Sequence, residues 1–152
     1  MADIRSGAKA LRQGRVSLAG QIYHVTTRTH GRQPLFHDLW RGRAVIRAMK
    51  KGDDNGLTAT LAYVVMPDHL HWLIDLKRGE LAIAVRLLKG RSSRELGRHG
   101  HGGRVWQAGF YDHALRSDEG VIEVARYIIA NPLRAGLVER VADYPLWDCT
   151  WV

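Results

Sequence analysis

Along the chain the spacing of apolar positions switches between two residues and about 3.6, and these switches outline seven elements. Residues 21–28 alternate, with Tyr23, Val25 and Thr27 on one side and Ile22, His24 and Thr26 on the other, which predicts a strand. Leu39 to Lys51 carries no breaker except Gly42 and predicts a helix that turns Val45, Ile46 and Met49 inward. Gly52 to Gly56 reads as a turn. Leu57 to Met66 and His69 to Leu76 predict two strands, and Pro67-Asp68 between them supplies hairpin chemistry. Glu80 to Leu96 predicts a second helix, with Leu81, Val85 and Leu88 at i, i+4 and i+7. A glycine-rich loop, 97–103, leads to a fourth strand over Arg104 to Arg116. Ser117 reads as an N-cap, with Asp118 and Glu119 in the first turn. The last helix then runs to about Ala130 on a stripe of Val121, Val124, Ala125 and Ile128.

Strand, helix, strand, strand, helix, strand describes an α+β fold of the ferredoxin-like, split βαβ kind. Its expected product is a four-stranded antiparallel sheet with helices on one face, to which the last helix is added. Residues 1–19 read as a basic N-terminal arm and residues 20–152 as one domain. There is no internal repeat and no low-complexity linker.

Composition narrows the classes. At 152 residues with 45% hydrophobic content, the chain is not a disordered tail, a collagen or a long coiled coil. Its longest apolar run, Leu61 to Met66, is far too short to span a bilayer. Met1 to Gly20 is charged throughout and is not expected to be a secretory signal. Cys149 is the sole cysteine, so no intramolecular disulfide and no cysteine zinc site can form. A reducing, cytoplasmic setting is expected. With 23 Lys and Arg against 15 Asp and Glu, the net charge is +8, which favours a polyanionic partner, nucleic acid first. Two groups stand out: Arg5, Lys9, Arg12 and Arg15 in the arm, and Lys89, Arg91, Arg94 and Arg98 after the apolar stretch of the second helix. A membrane surface would require an amphipathic basic helix with bulky anchors, and the arm offers only Leu11, Val16 and Leu18.

Three local signals carry candidate chemistry. In Met66-Pro67-Asp68-His69-Leu70-His71-Trp72, the two histidines at i and i+2 project from one face of a strand while Leu70, Trp72, Ile74 and Leu76 face the core. Paired imidazoles suit a divalent metal, although two surface histidines would give the same pattern. Tyr127 and Asn131 share one face of the last helix. Tyr127 reads as a phenolic nucleophile or as an ordinary aromatic. Asn131 reads as a metal-ligating oxygen, as an N-cap ahead of Pro132, or as both. Trp106-Gln107-Ala108-Gly109-Phe110-Tyr111-Asp112-His113 offers a base-stacking surface or strand core, with His113 as a weaker ligand candidate. His24, His30 and His37 read as structural or surface residues. His99 and His101 repeat the pairing in a loop without a rigid scaffold.

Taken together with Tyr23-His24-Val25-Thr26-Thr27-Arg28 and Tyr127-Ile128-Ile129-Ala130-Asn131-Pro132-Leu133-Arg134-Ala135-Gly136-Leu137-Val138, these segments resemble the REP-associated tyrosine transposases, a branch of the HUH single-tyrosine transposases. The resemblance covers roughly residues 20–150 in order. It implies metal-dependent cleavage and joining of single-stranded, hairpin-forming repeat DNA through a 5′-phosphotyrosine. In that reading Tyr127 is catalytic and His69 and His71 hold Mg²⁺ or Mn²⁺. Asn131 stands where related transposases place a polar third ligand, often Gln. Two histidines favour Mn²⁺ on ligand chemistry, while abundance favours Mg²⁺. The arm, Lys89, Arg91 and Arg94 would hold phosphates, and Arg28, Trp106 and Gln107 are further DNA-contact candidates. Monomer and homodimer are both compatible. Two competitors remain: a domesticated nucleic-acid-binding protein without catalysis, and a metal-dependent hydrolase in which water replaces the tyrosine.

Overall fold

The computed structural model describes residues 17–151. Its elements are β1 (Ile22–Arg28), α1 (Leu39–Asp54), β2 (Thr58–Met66), β3 (His69–Leu76), α2 (Leu81–Arg98), β4 (Tyr111–Ala114), α3 (Val121–Ile129), the single-turn α4 (Asn131–Arg134) and β5 (Trp147–Cys149). The strands form one sheet in the order β4-β1-β3-β2-β5, and every pairing is antiparallel. The first four strands have the split βαβ connection that the hydrophobic pattern predicts. The fifth, three residues at the β2 edge, was not expected: a segment this short carries no readable period.

One face of the sheet carries the main core. Tyr23, Val25, Leu70, Trp72, Ile74 and Leu76 pack against Ala44, Val45 and Met49 of α1 and Leu81, Val85 and Leu88 of α2. Each such side chain contributes roughly 1.5–3 kcal/mol on burial. The indole N–H of Trp72 donates to Thr60 Oγ1 at 3.0 Å, so the largest buried ring leaves no polar atom unmet. Helix α1 starts where Asp38 Oδ1 accepts from the backbone N–H of Trp40 and Arg41. On the opposite face Val64, Met66 and Leu73 are covered by Ala125, Ile128 and Ile129 of α3. Helices therefore lie on both faces, the added one packing on the second.

Four local expectations are corrected. The predicted strand over 104–116 shrinks to β4 and an isolated bridge between Thr29 and Trp106. Gly109 has a φ of +80°, a left-handed turn that breaks the ladder. Ser117 caps nothing; α3 begins three residues later behind Gly120. Glu119 instead accepts from the Arg116 N–H and from His113. Gly52 to Asp54 belong to α1, and the turn is Asn55-Gly56 with Gly56 at φ +74°. Asn131 is not an accepting cap, because its side-chain amide donates to the Ile128 carbonyl at 2.8 Å.

Candidate active site

The alternation of β3 that buries Leu70 and Trp72 turns His69 and His71 to the other face, in the half α3 leaves partly open. The two rings lie 4.9 Å apart, nearly perpendicular. His69 Nδ1 donates to Asp68 Oδ1 at 2.7 Å, which leaves Nε2 as the ring's lone-pair nitrogen. His71 Nδ1 lies 3.0 Å from His24 Nε2 and 3.2 Å from Thr26 Oγ1. The tautomer that donates from Nδ1 again keeps the Nε2 lone pair. Partners of this kind orient ligating imidazoles in metal sites.

Charge and burial keep these rings neutral. Burial, with the neighbouring His24, His69, Arg134 and Arg28, pushes the His71 pKa down to about 3. Burial, then His113, lowers His24 to about 4. Burial also lowers His69, against the pull of Asp68. Burial would raise Asp68, yet hydrogen bonds from His69 and Arg32 outweigh it and hold the carboxyl low. Neutral imidazoles with free Nε2 atoms are the form a divalent ion binds, so the donor chemistry fits. Among the described residues no group of three or more His, Cys, Asp or Glu stands ready as a cage. A third protein ligand would have to be of another type, and Asn131 Oδ1 has no hydrogen-bond partner among the described residues.

Tyr127 stands on α3, 61% exposed. The Arg134 guanidinium lies 3.7 Å over its ring and donates to the Tyr127 carbonyl at 2.7 Å. The same guanidinium is close enough to lower the His71 pKa. Arg134 thus holds to the tyrosine while its charge is felt at His71, and Asn131 lies between Tyr127 and Arg134 on the chain. Arg28, on the His face of β1 and opposite His69, stacks 5.0 Å over Tyr111. The surroundings are electropositive, as a phosphodiester requires.

Residues 17–131 match the family described as "Transposase IS200 like". The chain belongs to the IS200-like transposase family. Among its relatives, this IS200-like chain is 32% identical over 85 residues to the REP-associated tyrosine transposase of Escherichia coli K12, covering 55% of this chain and 50% of that one. It is 31% identical over 99 residues to a Haemophilus influenzae protein whose name assigns it provisionally to the same group, covering 57% of this chain and 56% of that one. The matched region spans about half the length of these curated relatives. A solved REP-associated tyrosine transposase bound to a REP hairpin shares the fold, with a TM-score of 0.73 and 24% identity over 88% of this chain and 79% of that one.

Other predicted residues fall elsewhere. Arg5, Lys9, Arg12 and Arg15 lie outside the described residues. Trp106 is corrected from DNA contact to core: it is 5% exposed and its N–H donates to Ser92 Oγ, so it has no face open to a base. Phe110 is equally enclosed. The Lys89 ammonium donates to the Gln107 and Gly109 carbonyls and tethers that segment to α2. Arg91 and Arg94 line the α1–α2 seam, across the sheet from Tyr127. His113 bonds Glu119, and His99 packs against Trp40. Sequence reasoning missed His24 and Arg134. His24 shares the strand parity of Thr26, which has meaning only once the pairing of β1 with β3 is known; Arg134 lies seven residues beyond Tyr127, which has meaning only once α3 is docked on the sheet.

Proposed function

We propose that this chain cleaves and rejoins single-stranded DNA, with Tyr127 as nucleophile and hairpin-forming repeat DNA as substrate. The observation that carries the reading is the pair of neutral, desolvated imidazoles on β3, on the sheet face that α3 covers, together with the exposed Tyr127 under the Arg134 guanidinium. His69, His71 and Asn131 would hold Mg²⁺ or Mn²⁺. When bound, such an ion supplies positive charge at the scissile phosphate. The Tyr127 oxygen attacks phosphorus in line, and its proton leaves to the solvent around this exposed side chain. The P–O3′ bond breaks as the 5′-phosphotyrosine bond forms, and the leaving oxygen becomes a free 3′-hydroxyl. Storing the bond on tyrosine allows reversal and strand joining without ATP. Arg28 and Arg134 bind the phosphate and offset its charge. Asp68, His24 and Thr26 hold the imidazoles at their angle. Gln107 and the arm cations Arg5, Lys9, Arg12 and Arg15 add backbone contacts, while Lys89 braces the segment that carries Gln107. The activity belongs in the cytoplasm, where the DNA is.

The test is a denaturing gel with labelled hairpin DNA taken from beside the gene, plus Mg²⁺ or Mn²⁺. A labelled protein–DNA adduct is expected, absent with chelator and absent in Tyr127→Phe. Cleavage without an adduct would establish the hydrolase reading instead. Binding of a panel of such hairpins with neither cleavage nor adduct would establish a binding-only protein.

A further inference from the structure

The solvent side of the α1–α2 pair carries a groove of about 360 Å³, lined by Ala44, Arg47, Ala48, Lys51, Arg91, Arg94, Glu95 and Arg98. Ala44 and Ala48 are small and form its floor. Five of the other six side chains are cations. The single carboxylate, Glu95, is already taken by Arg47 at 2.6 Å. Among the described residues no acid pairs with Lys51, Arg91, Arg94 or Arg98. Arg91, Arg94 and Arg98 fall at i, i+3 and i+7 on one face of α2 and span about 10 Å of helix axis. Arg47 and Lys51 face them at i and i+4 on α1. The Nη1 donor of Arg91 is enclosed without a hydrogen-bond partner, a cost that an anionic oxygen entering the groove would offset.

We propose that this groove binds the backbone of a second, double-stranded stretch of DNA, separate from the strand presented to Tyr127. Location separates the two. The groove lies outside α1 and α2, which cover one face of the sheet, whereas the histidines and α3 occupy the other. The groove and Tyr127 thus open on opposite sides of the sheet. Chemistry selects duplex backbone. Non-specific binding of single strands uses aromatic stacking platforms, and the groove lining has none. Successive phosphates of one duplex strand rise about 3.4 Å along the axis while winding around it, so a straight 10 Å row of arginines meets about two. Contacts of this type position DNA without reading its sequence. The inference goes beyond the tyrosine reading and does not depend on it.

The test uses the full chain and the triple variant Lys51→Gln, Arg94→Gln, Arg98→Gln, whose three sites are exposed. Arg91, with its enclosed Nη1, and the paired Arg47 are left intact. Fluorescence anisotropy would follow a blunt 20-base-pair duplex of arbitrary sequence across a salt series. The variant is expected to bind roughly 10–100-fold more weakly near 0.1 M salt, with a salt slope shallower by about 2–3. Adduct formation on hairpin DNA and the thermal melt should match the parent. A second variant, Arg94→Lys with Arg98→Lys, should retain duplex binding, because the charge is kept. Tyr127→Phe should bind the duplex as the parent does even if no adduct is ever seen, which separates failure of this inference from failure of the tyrosine reading. Unchanged duplex affinity and slope in the triple variant would overturn the proposal. So would an equal loss on an unpaired single strand of the same length, or displacement of the duplex by polyglutamate at matched charge, which would point to an acidic protein partner.

Discussion

The two faces of β3 differ by one residue of register and obey opposite rules. Leu70, Trp72, Ile74 and Leu76 point into an apolar core, where the Trp72 N–H is met by Thr60 and the Trp106 N–H by Ser92. His69 and His71, one position out of step, sit in a polar half-face where every ring nitrogen that has a partner has a protein one, and where guanidinium groups gather. The first face is built for stability. The second keeps neutral, desolvated imidazoles beside positive charge, an arrangement that adds little to stability and suits phosphate chemistry. A strand's period of two lets both rules run along one segment without interference.

The contrast can be broken from either side. Tyr127→Phe should reduce adduct formation to background while the melting temperature stays within error, since the ring is exposed; a marked fall in stability would show that the tyrosine is part of the packing. Trp72→Ala should cost about 3–5 kcal/mol in denaturant unfolding, with activity lost only as the fold is lost. Acid should act on the histidine face. Unfolded imidazoles take up protons near pH 6.5, whereas folded His24 and His71 stay neutral to about 4 and 3. The unfolded state then binds more protons, so the metal-free protein loses stability as pH falls from 6.5 toward 4, at about 1.4 kcal/mol per unit for each group. Melts across that range in chelator would check the sign, and His24→Asn should flatten the curve. Asp68→Asn should weaken metal binding roughly 10–100-fold by loosening His69, readable by calorimetry with Mn²⁺ at nearly constant melting temperature. The smallest effect is reserved for the helix side: Asp38→Ala should cost about 1 kcal/mol through the lost cap of α1 and leave adduct formation alone.

What the sequence made legible follows the range of the forces involved. The stripe Leu81, Val85, Leu88 and the alternation of β3 are local patterns, and both describe the fold well. The face shared by His69 and His71 was readable for the same reason. Ser117 and the long strand over 104–116 misled because good local chemistry lost to tertiary demands. The Trp106 ring was drawn into the core by Ser92, and Gly109 took a left-handed turn that Lys89 braces. The second basic group, Lys89 to Arg98, reads as one cluster in sequence. On the helix it divides by angle, with Lys89 toward the 106–110 segment and Arg91, Arg94 and Arg98 into the α1–α2 seam. His24 and Arg134 gain meaning only from pairings that join residues 47 and 63 positions apart.

The Pro67-Asp68 turn is stitched to the stretch that precedes α1. The Phe36 N–H donates to the Pro67 carbonyl, and the Thr29 N–H to that of Asp68. Thr29 Oγ1 adds a second bond to the same carbonyl, and Arg32 reaches the Asp68 side chain. Residues 29–36 therefore serve as the datum from which His69 is aimed. An error there would be transmitted as a tilt of the imidazole rather than as a loss of fold, so alignment of the site is governed by a loop that lies outside both the histidine pair and the tyrosine.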